Sequence, residues 1–466
     1  MGRLIFALTL SASGLIAQAS APPPLVHLYP VALGRDGRPV TDLSSSDFKI
    51  TDQGKREMIY FFRGPHAQEP TRPGPQEYVN RPGGTAPHAT AILFDLVDET
   101  RPNWIEAWHM LAKPLAGPGE YPYFYVLSLD GALIPVRAIG SKSAGDLDKI
   151  MAAASTARPA GMLQEDHVKA VYHDLELLGN QLAALPGRGE IVWITNWVPD
   201  IRQLMPCSGD WVDCGLYVAH MAVTLEQDHV QVNPAYLGGE LQPQIAYDLE
   251  QMALLTGGHV YFREDIPAIL GAVARNSAQA YEIDYAPGAG HWDNKFHKVH
   301  LRCARKGVKL QVRERYYALP DSRADAERQK DVVVSALGSR ADATDIGLRV
   351  SVTPEANGVH LEVRIDAADL LLRAEGGKFV GSAMLLISNR GASQASGAGG
   401  LLRRPLGEPS VSSFKLELTQ EELVAKRRKG IVLSMDHAIT RAVERVRVMV
   451  IDQGRNAVGS VTFPVL

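Results

Sequence analysis

Three acidic side chains at the end of one apolar run are the first residues in this sequence that could do chemistry. The stretch Ala89-Thr-Ala-Ile-Leu-Phe-Asp95-Leu-Val-Asp98-Glu-Thr100 is apolar to Phe94 and then turns acidic at Asp95, Asp98 and Glu99. Clustered carboxylates can hold a hard cation through oxygen ligands, or act as an acid–base pair if one of them has a raised pKa. A run this short, between Pro87 and Arg101-Pro102, predicts a strand buried on both faces rather than a helix. In open α/β sheets, ligands gather at the carboxyl ends of such strands, where these three acids fall.

Other reactive side chains are less well grouped. His291, His297 and His300 form the tightest histidine cluster, but on an expected strand Lys295–Arg302 the last two point to opposite faces. That spacing excludes a metal site shared by His297 and His300 on one strand and predicts exposed strand histidines. His167 and His173 are six apart on an expected helix and are not neighbours. Cys207 and Cys214, separated by a polar loop, are expected to pair as a local disulfide in an oxidising compartment, with Cys303 a lone buried thiol. No Gly-x-Ser-x-Gly elbow, His-Glu-x-x-His motif or Walker loop occurs, so the common hydrolase and nucleotidase signatures are missing. Trp197 and Trp211, near the polar face of the expected sheet, are candidates for partner contact.

The elements that must position these residues follow from patterning. The N-terminus reads as a signal peptide over 1–19: Arg3, an apolar stretch from Leu4 to Ala17, and a cleavage motif at Ala17-Gln18-Ala19. The expected location is therefore secreted or periplasmic, with no membrane span in the mature chain. Residues 25–63 predict a small β-hairpin module, with turns at Asp36-Gly37 and Gln53-Gly54. Residues 64–88 carry many prolines and glycines and predict a linker. From 89 to 319, strands alternate with helices: strand Ala91–Val97, helix Trp104–Leu115, a hairpin Tyr123–Leu129 with Leu133–Ile139, helix Asp166–Leu185 and strand Glu190–Val198. Helix Tyr247–Leu255 should end at Gly257-Gly258. Residues 320–330 predict a second linker, and 331–466 an all-β sandwich of short alternating strands. A formal net charge of -4 argues against a broad nucleic-acid surface. The basic run Lys426-Arg-Arg-Lys429 fits a helix C-terminus before Gly430.

The pattern as a whole resembles the acidobacterial VWFA-related domain family of secreted proteins. The residues that carry the resemblance are Gly37-Arg-Pro-Val40, Asp47-Phe48-Lys-Ile50 with Asp52-Gln-Gly54, Ile92-Leu-Phe-Asp95, Thr256-Gly257-Gly258 with Tyr261-Phe262, Tyr281 to Tyr285, Lys295-Phe296, Gly307-Val308-Lys309 and Arg315-Tyr316-Tyr317. The resemblance implies a von Willebrand factor A-like domain, a protein-interaction module that binds through a metal-ion-dependent adhesion site. It implies a ligand set of an Asp-x-Ser-x-Ser loop, a Thr and a second Asp. Here Asp95 is kept, Val97 and Glu99 replace the serines, Met162 stands near the Thr position and Asn196 replaces the second Asp. The implied site is a degenerate one of Asp95, Glu99 and Asn196, with no cofactor, or Mg²⁺ or Ca²⁺ if it is still competent.

The expected fold is α/β, a Rossmann-like VWA domain with a mixed, mainly parallel sheet and helices on both faces, flanked by the two β modules. The expected function is a secreted, non-catalytic interaction module with a protein partner, contacted through Asp98, Trp197 and Trp211. The alternative is an enzyme built on Asp95, Asp98 and Glu99.

Overall fold

The run that ends at Asp95 forms the strand His88–Asp95, inside a six-stranded sheet. Across the sheet the order is Tyr261–Phe262, Val230–Tyr236, Arg188–Thr195, His88–Asp95, Tyr123–Leu127 and Leu133–Arg137. All neighbours run parallel except the last pair, the hairpin turned at Asp130-Gly131. Side chains alternate between two helical layers, which is why these strands are apolar throughout. Ile92 and Phe94 pack with Met151 of helix Leu147–Thr156 and Ile266, Ile269 and Val273 of helix Ile266–Gln279. Ala91 and Leu93 face Val171, Leu175 and Leu178 of helix Gln164–Ala183, and Leu249 and Met252 of helix Pro243–Thr256. Each fully buried Val, Leu, Ile or Phe side chain among them contributes ~1.5–3 kcal/mol.

This is a computed structural model, and it describes residues 25–65, 73–81, 88–96, 123–138, 145–156, 164–183, 188–195, 221–225, 230–237, 243–262, 265–288, 291–320, 325–338, 342–391, 407–440 and 443–465. Helix Pro243–Thr256 ends where the glycine pair requires. Thr256 Oγ1 accepts from Val232 N at 3.0 Å, and a Cβ on Gly258 would meet the Val232 carbonyl oxygen at 1.9 Å, so only glycine lets the chain pass.

The expectation of an α/β, Rossmann-like chain is overturned. Strand makes up 47% and helix 24%, and among the described residues most sheets are antiparallel and one sheet alone is mixed. The reason is long-range pairing that local patterning does not show. Strands read as closing the helix-flanked region instead pair with the N-terminal ones. Glu282–Tyr285 lies between Val26–Leu28 and Ile59–Arg63, and Phe296–Cys303 lies between Arg315–Tyr317 and Phe48–Asp52. Between Val308 and Tyr317 lie two short strands, Lys309–Gln311 and Arg315–Tyr317, with the buried Arg313 between them. A shared core of Val26, Leu28, Phe48, Ile50, Tyr281, Ile283, Val299 and Tyr316 seals this module.

The Pro/Gly-rich stretch contains an edge strand, Glu77–Val79, added antiparallel to Leu348–Glu355. That strand continues a sheet with Gly358–Ile365 and Ile431–Ala438. A second sheet of Arg373–Glu375, Lys378–Arg390, Arg445–Asp452 and Val458–Pro464, with Ser410–Leu418 on the far side of Lys378–Arg390, packs against it around Val350, Leu361, Leu385, Val448 and Phe463. The basic run sits in the last turn of helix Gln420–Lys429, which has a Thr419–Glu422 capping box and ends on Gly430 at φ 77°. Gly358 follows the turn Ala356-Asn357, and a Cβ there would meet the His437 carbonyl oxygen at 2.2 Å.

Where the N-terminal module meets the C-terminal sheets, three arginines and three carboxylates are buried together. Arg63 Nη1 and Arg81 Nη1 each lie 2.8 Å from Asp369, one on each carboxylate oxygen. Arg63 and Arg455 both pair with Glu282, and Arg455 Nε lies 3.3 Å from Asp284, which His27 Nδ1 also reaches at 2.8 Å. Burial works against the charge on Arg63 and Arg455, yet the facing carboxylates, Glu282 foremost, hold both guanidinium groups above their ordinary range. Truncating one partner strands buried charge. Asp369→Ala is expected to cost about 3–5 kcal/mol in urea unfolding. Asp36→Ala, at an exposed pair with Arg38, should change stability by less than about 1 kcal/mol. Equal effects of the two substitutions would remove the network from its structural role.

Candidate functional site

Asp95 is the one candidate among the acids of the opening stretch that lies within the described residues. It is buried at the carboxyl end of its strand. Trp193 Nε1 and Thr195 Oγ1, on the neighbouring strand, approach its Oδ2 at 3.4 and 3.5 Å. Both are long for hydrogen bonds. Asp98, Glu99, Asn196, Trp197, Trp211, Met162, Cys207 and Cys214 lie outside the described residues, as do helix Trp104–Leu115 and the signal-peptide segment. Cys303 is a free thiol and is half-buried rather than enclosed.

Sequence reasoning missed the acid opposite Asp95. Asp174, on helix Gln164–Ala183, is buried against the sheet, and its Oδ2 accepts no hydrogen bond. Burial first, and then the charge of Asp95, push its carboxyl up to about 7. Near neutral pH the Asp174 carboxyl can therefore still carry a proton. Such a group can exchange a proton, and it can also be a folding element.

A second group unites two distant parts of the chain. Asp52, His291 and His297 are all buried, and one ligand atom from each lies within 4.8 Å of the others. Their positions follow from β geometry. Gln53 and Gly54, both at positive φ, form a two-residue hairpin turn that sets Asp52 opposite Lys55 on one side and Val299 on the other. Alternation then puts Phe48, Ile50 and Asp52 on the core face of one strand, and His297 and Val299 on that of its neighbour. His291 comes from the preceding loop. His297 corrects the expectation of exposed strand histidines, although His300 does fall on the opposite side. The signal was present in the sequence: Asp52 and His297 occupy the core parity of their strands, where a polar side chain needs a partner.

Tyr285 and Tyr316 donate to Asp52 Oδ2 at 3.0 and 2.6 Å. Burial raises both phenols well above their usual range, and the neighbouring carboxylate adds to it, so they stay neutral donors. A third group, Ser434, His360 and Asp436, has a Ser–His–Asp sequence of contacts at 2.8 and 2.5 Å. It lies on an outward sheet face, with the Asp436 side chain 73% exposed. A carboxylate so well solvated cannot orient an imidazole as an enclosed one does, and this group reads as a polar surface ladder.

No family model matches the sequence, and no characterised protein is significantly similar to it. Among solved structures, the chain is similar to the human COPII-coat protein Sec24c at 12% identity, over 55% of this chain and 47% of that one, with a TM-score of 0.25. It is similar to a DUF4848 family protein from Bacteroides thetaiotaomicron at 7% identity, over 27% of this chain and 43% of that one, with a TM-score of 0.14. The chain spans under half the length of either protein, and likeness at this level carries no argument about fold or activity. No helix among the described residues is long and apolar enough to cross a membrane.

The Asp95–Asp174 pair predicts a pH signature. Native Asp174 keeps its proton to about pH 7, whereas the unfolded chain releases it near its ordinary value of 3.8. Between those values the native state binds more protons, so stability falls as pH rises through the window. Asp174→Asn has no proton to lose there. Its stability relative to wild type should rise by on the order of 1–2 kcal/mol between pH 5 and pH 8 in urea titrations. A pH-independent difference would show that Asp174 ionises as an ordinary aspartate.

Proposed function

We propose that this protein is an exported, non-catalytic interaction module that engages a partner protein without a divalent cation at Asp95. The observation that carries the reading is the strand Ser410–Leu418. It is hydrogen-bonded along one side to Lys378–Arg390 in unbroken register, and among the described residues no strand pairs with its other side. Natural sheets guard such edges with charge, proline or bulges. The first half of this one, Ser410-Val-Ser-Ser413, has none of them and exposes Val411 to 53%. An extended segment of a partner can add to such an edge through its main chain, with side-chain contacts giving selectivity.

The state of Asp95 supports the cation-independent part. It is enclosed, with the Trp193 indole N–H 3.4 Å and the Thr195 hydroxyl 3.5 Å from its Oδ2. The alternative, an enzyme with a carboxylate site, now rests on Asp174, whose carboxyl is pushed up to about 7 by burial and then by the charge of Asp95, in the range of a general acid.

Two measurements test the proposal. A photo-crosslinker at position 411 should trap a protein partner in the native compartment, while one at the exposed loop residue Lys306 should not, and Val411→Lys should weaken capture of that partner at least tenfold. Equal labelling from both positions would refute the edge. Calorimetric titration with Mg²⁺ or Ca²⁺ should give no saturable heat that Asp95→Asn abolishes. Such a heat would restore a working adhesion site.

A further inference from the structure

The buried group at the hairpin turn has an unbalanced proton account. His297 Nε2 lies 2.9 Å from Asp293 Oδ1, and a carboxylate oxygen can only accept, so Nε2 carries hydrogen. His291 Nδ1 lies 2.8 Å from the Gly288 carbonyl oxygen, so that nitrogen carries hydrogen too. In the neutral rings, His297 Nδ1 and His291 Nε2 are therefore left with lone pairs.

What His297 Nδ1 faces is a third lone pair. Asp52 Oδ1 lies 3.5 Å away, is fully buried and accepts no hydrogen bond. The nearby Tyr316 hydroxyl, 3.4 Å from His297 Nδ1, gives its proton to Asp52 Oδ2. Two acceptors this close in a low-dielectric site repel unless a cation sits between them. The spacing suits a metal. Ligands at 2.0–2.1 Å around a tetrahedral ion stand about 3.4 Å apart. The outer nitrogens are also tied as a metal site requires, one to a carboxylate and one to a backbone carbonyl, which fixes each ring's tautomer and aim.

We propose that Asp52, His291 and His297 bind one transition-metal ion of the zinc class, through Asp52 Oδ1, His291 Nε2 and His297 Nδ1. Two imidazoles and one carboxylate favour Zn²⁺ over the hard cations Mg²⁺ and Ca²⁺, which take oxygen ligands. The fourth position falls to water or to the Tyr316 hydroxyl. Because all three ligands are buried, the ion is structural. It pins the N-terminal hairpin, through Asp52, to the strand and loop that arrive more than 230 residues later in the chain.

The probe is the metal alone, added to chelator-treated full-length protein. Zn²⁺ should bind at one equivalent per chain and raise the melting temperature. Co²⁺ at the same site should give visible ligand-field bands, together with two paramagnetically shifted, exchangeable ring N–H signals, one from each histidine. Asp52→Asn and His291→Gln should each weaken Zn²⁺ binding at least 100-fold. Cys303→Ser, which removes the free thiol of the described residues, and Asp95→Asn should leave it unchanged. His291 sits on a loop, so its variant tests the site even if Asp52→Asn does not fold. The proposal fails if wild type binds no stoichiometric Zn²⁺, if binding survives His291→Gln, or if the Co²⁺ form shows no imidazole N–H signals. Those results would leave the three side chains as a buried hydrogen-bonded cluster without a metal.

Discussion

The buried pairing of Arg63, Arg81 and Arg455 with Glu282, Asp284 and Asp369 is the constraint on which the arrangement of this chain depends. It draws groups from the first β module, the Pro/Gly-rich stretch, the strand after the last sheet-flanking helix and the C-terminal sheets into one site. Taking charges out of water costs several kcal/mol per ion, and close, multiply bonded geometry is needed to offset it. Here Asp369 is held on both oxygens, Glu282 receives two guanidinium groups, and the Arg455 guanidinium also lies 3.7 Å from the Phe61 ring centroid. The value of such a network lies in specificity. An apolar contact tolerates sliding, whereas this one has a single register in which every charge is matched. The strand Glu282–Tyr285 is thereby held on two sides, by backbone pairing and by its own outward acids.

A comparison of the buried carboxylates shows how environment sets their roles. Asp95 and Asp174 face each other across the boundary between helix and sheet, and one of them keeps its proton near neutrality. Asp52 is no less buried, but one of its oxygens takes two phenolic donors while the other faces an imidazole. Glu190 is different again, ringed by Arg188, Ser277 and Asn233 at the start of its strand, so that its charge is fully answered. These are three burial sites for the same functional group. The first is tuned by burial and then by repulsion, the second is short of one cation, and the third is balanced.

The parts of this structure that could be read in the sequence are those fixed by neighbours in the chain. The apolar run into Asp95, the Asp130-Gly131 hairpin, the Thr256-Gly257-Gly258 helix end and the capped helix before Gly430 each depend on residues within one or two turns of backbone. The fold class was not legible, because it depends on which strands meet. Nothing local in Phe296–Cys303 says that its partner is Phe48–Asp52, and the alternation of strand and helix up to Gln279 suggested a continued α/β pattern. Prolines hid the strand Glu77–Val79, which is short and takes an edge position where missing donors cost little. Asp174 was invisible for a different reason: one acid on an amphipathic helix looks solvated until the sheet beneath it is known. Asp52 and His297 stood at core parity and could have been found by asking what each would bond to.

That question shifts the chemical centre of the molecule. An open α/β sheet directs attention to the carboxyl ends of its strands, where Asp95 stands. Asp95 is enclosed there, beside Trp193 and Thr195 and within the influence of Asp174. The unanswered lone pairs lie instead in the antiparallel module, beneath a two-residue turn, among groups drawn from both ends of the sequence. A β module of short strands has too small a core to hold distant segments by burial alone, and such modules gain most from an added cross-link. Asp52, His291 and His297 stand where that cross-link would join the first hairpin to the strands that close over it.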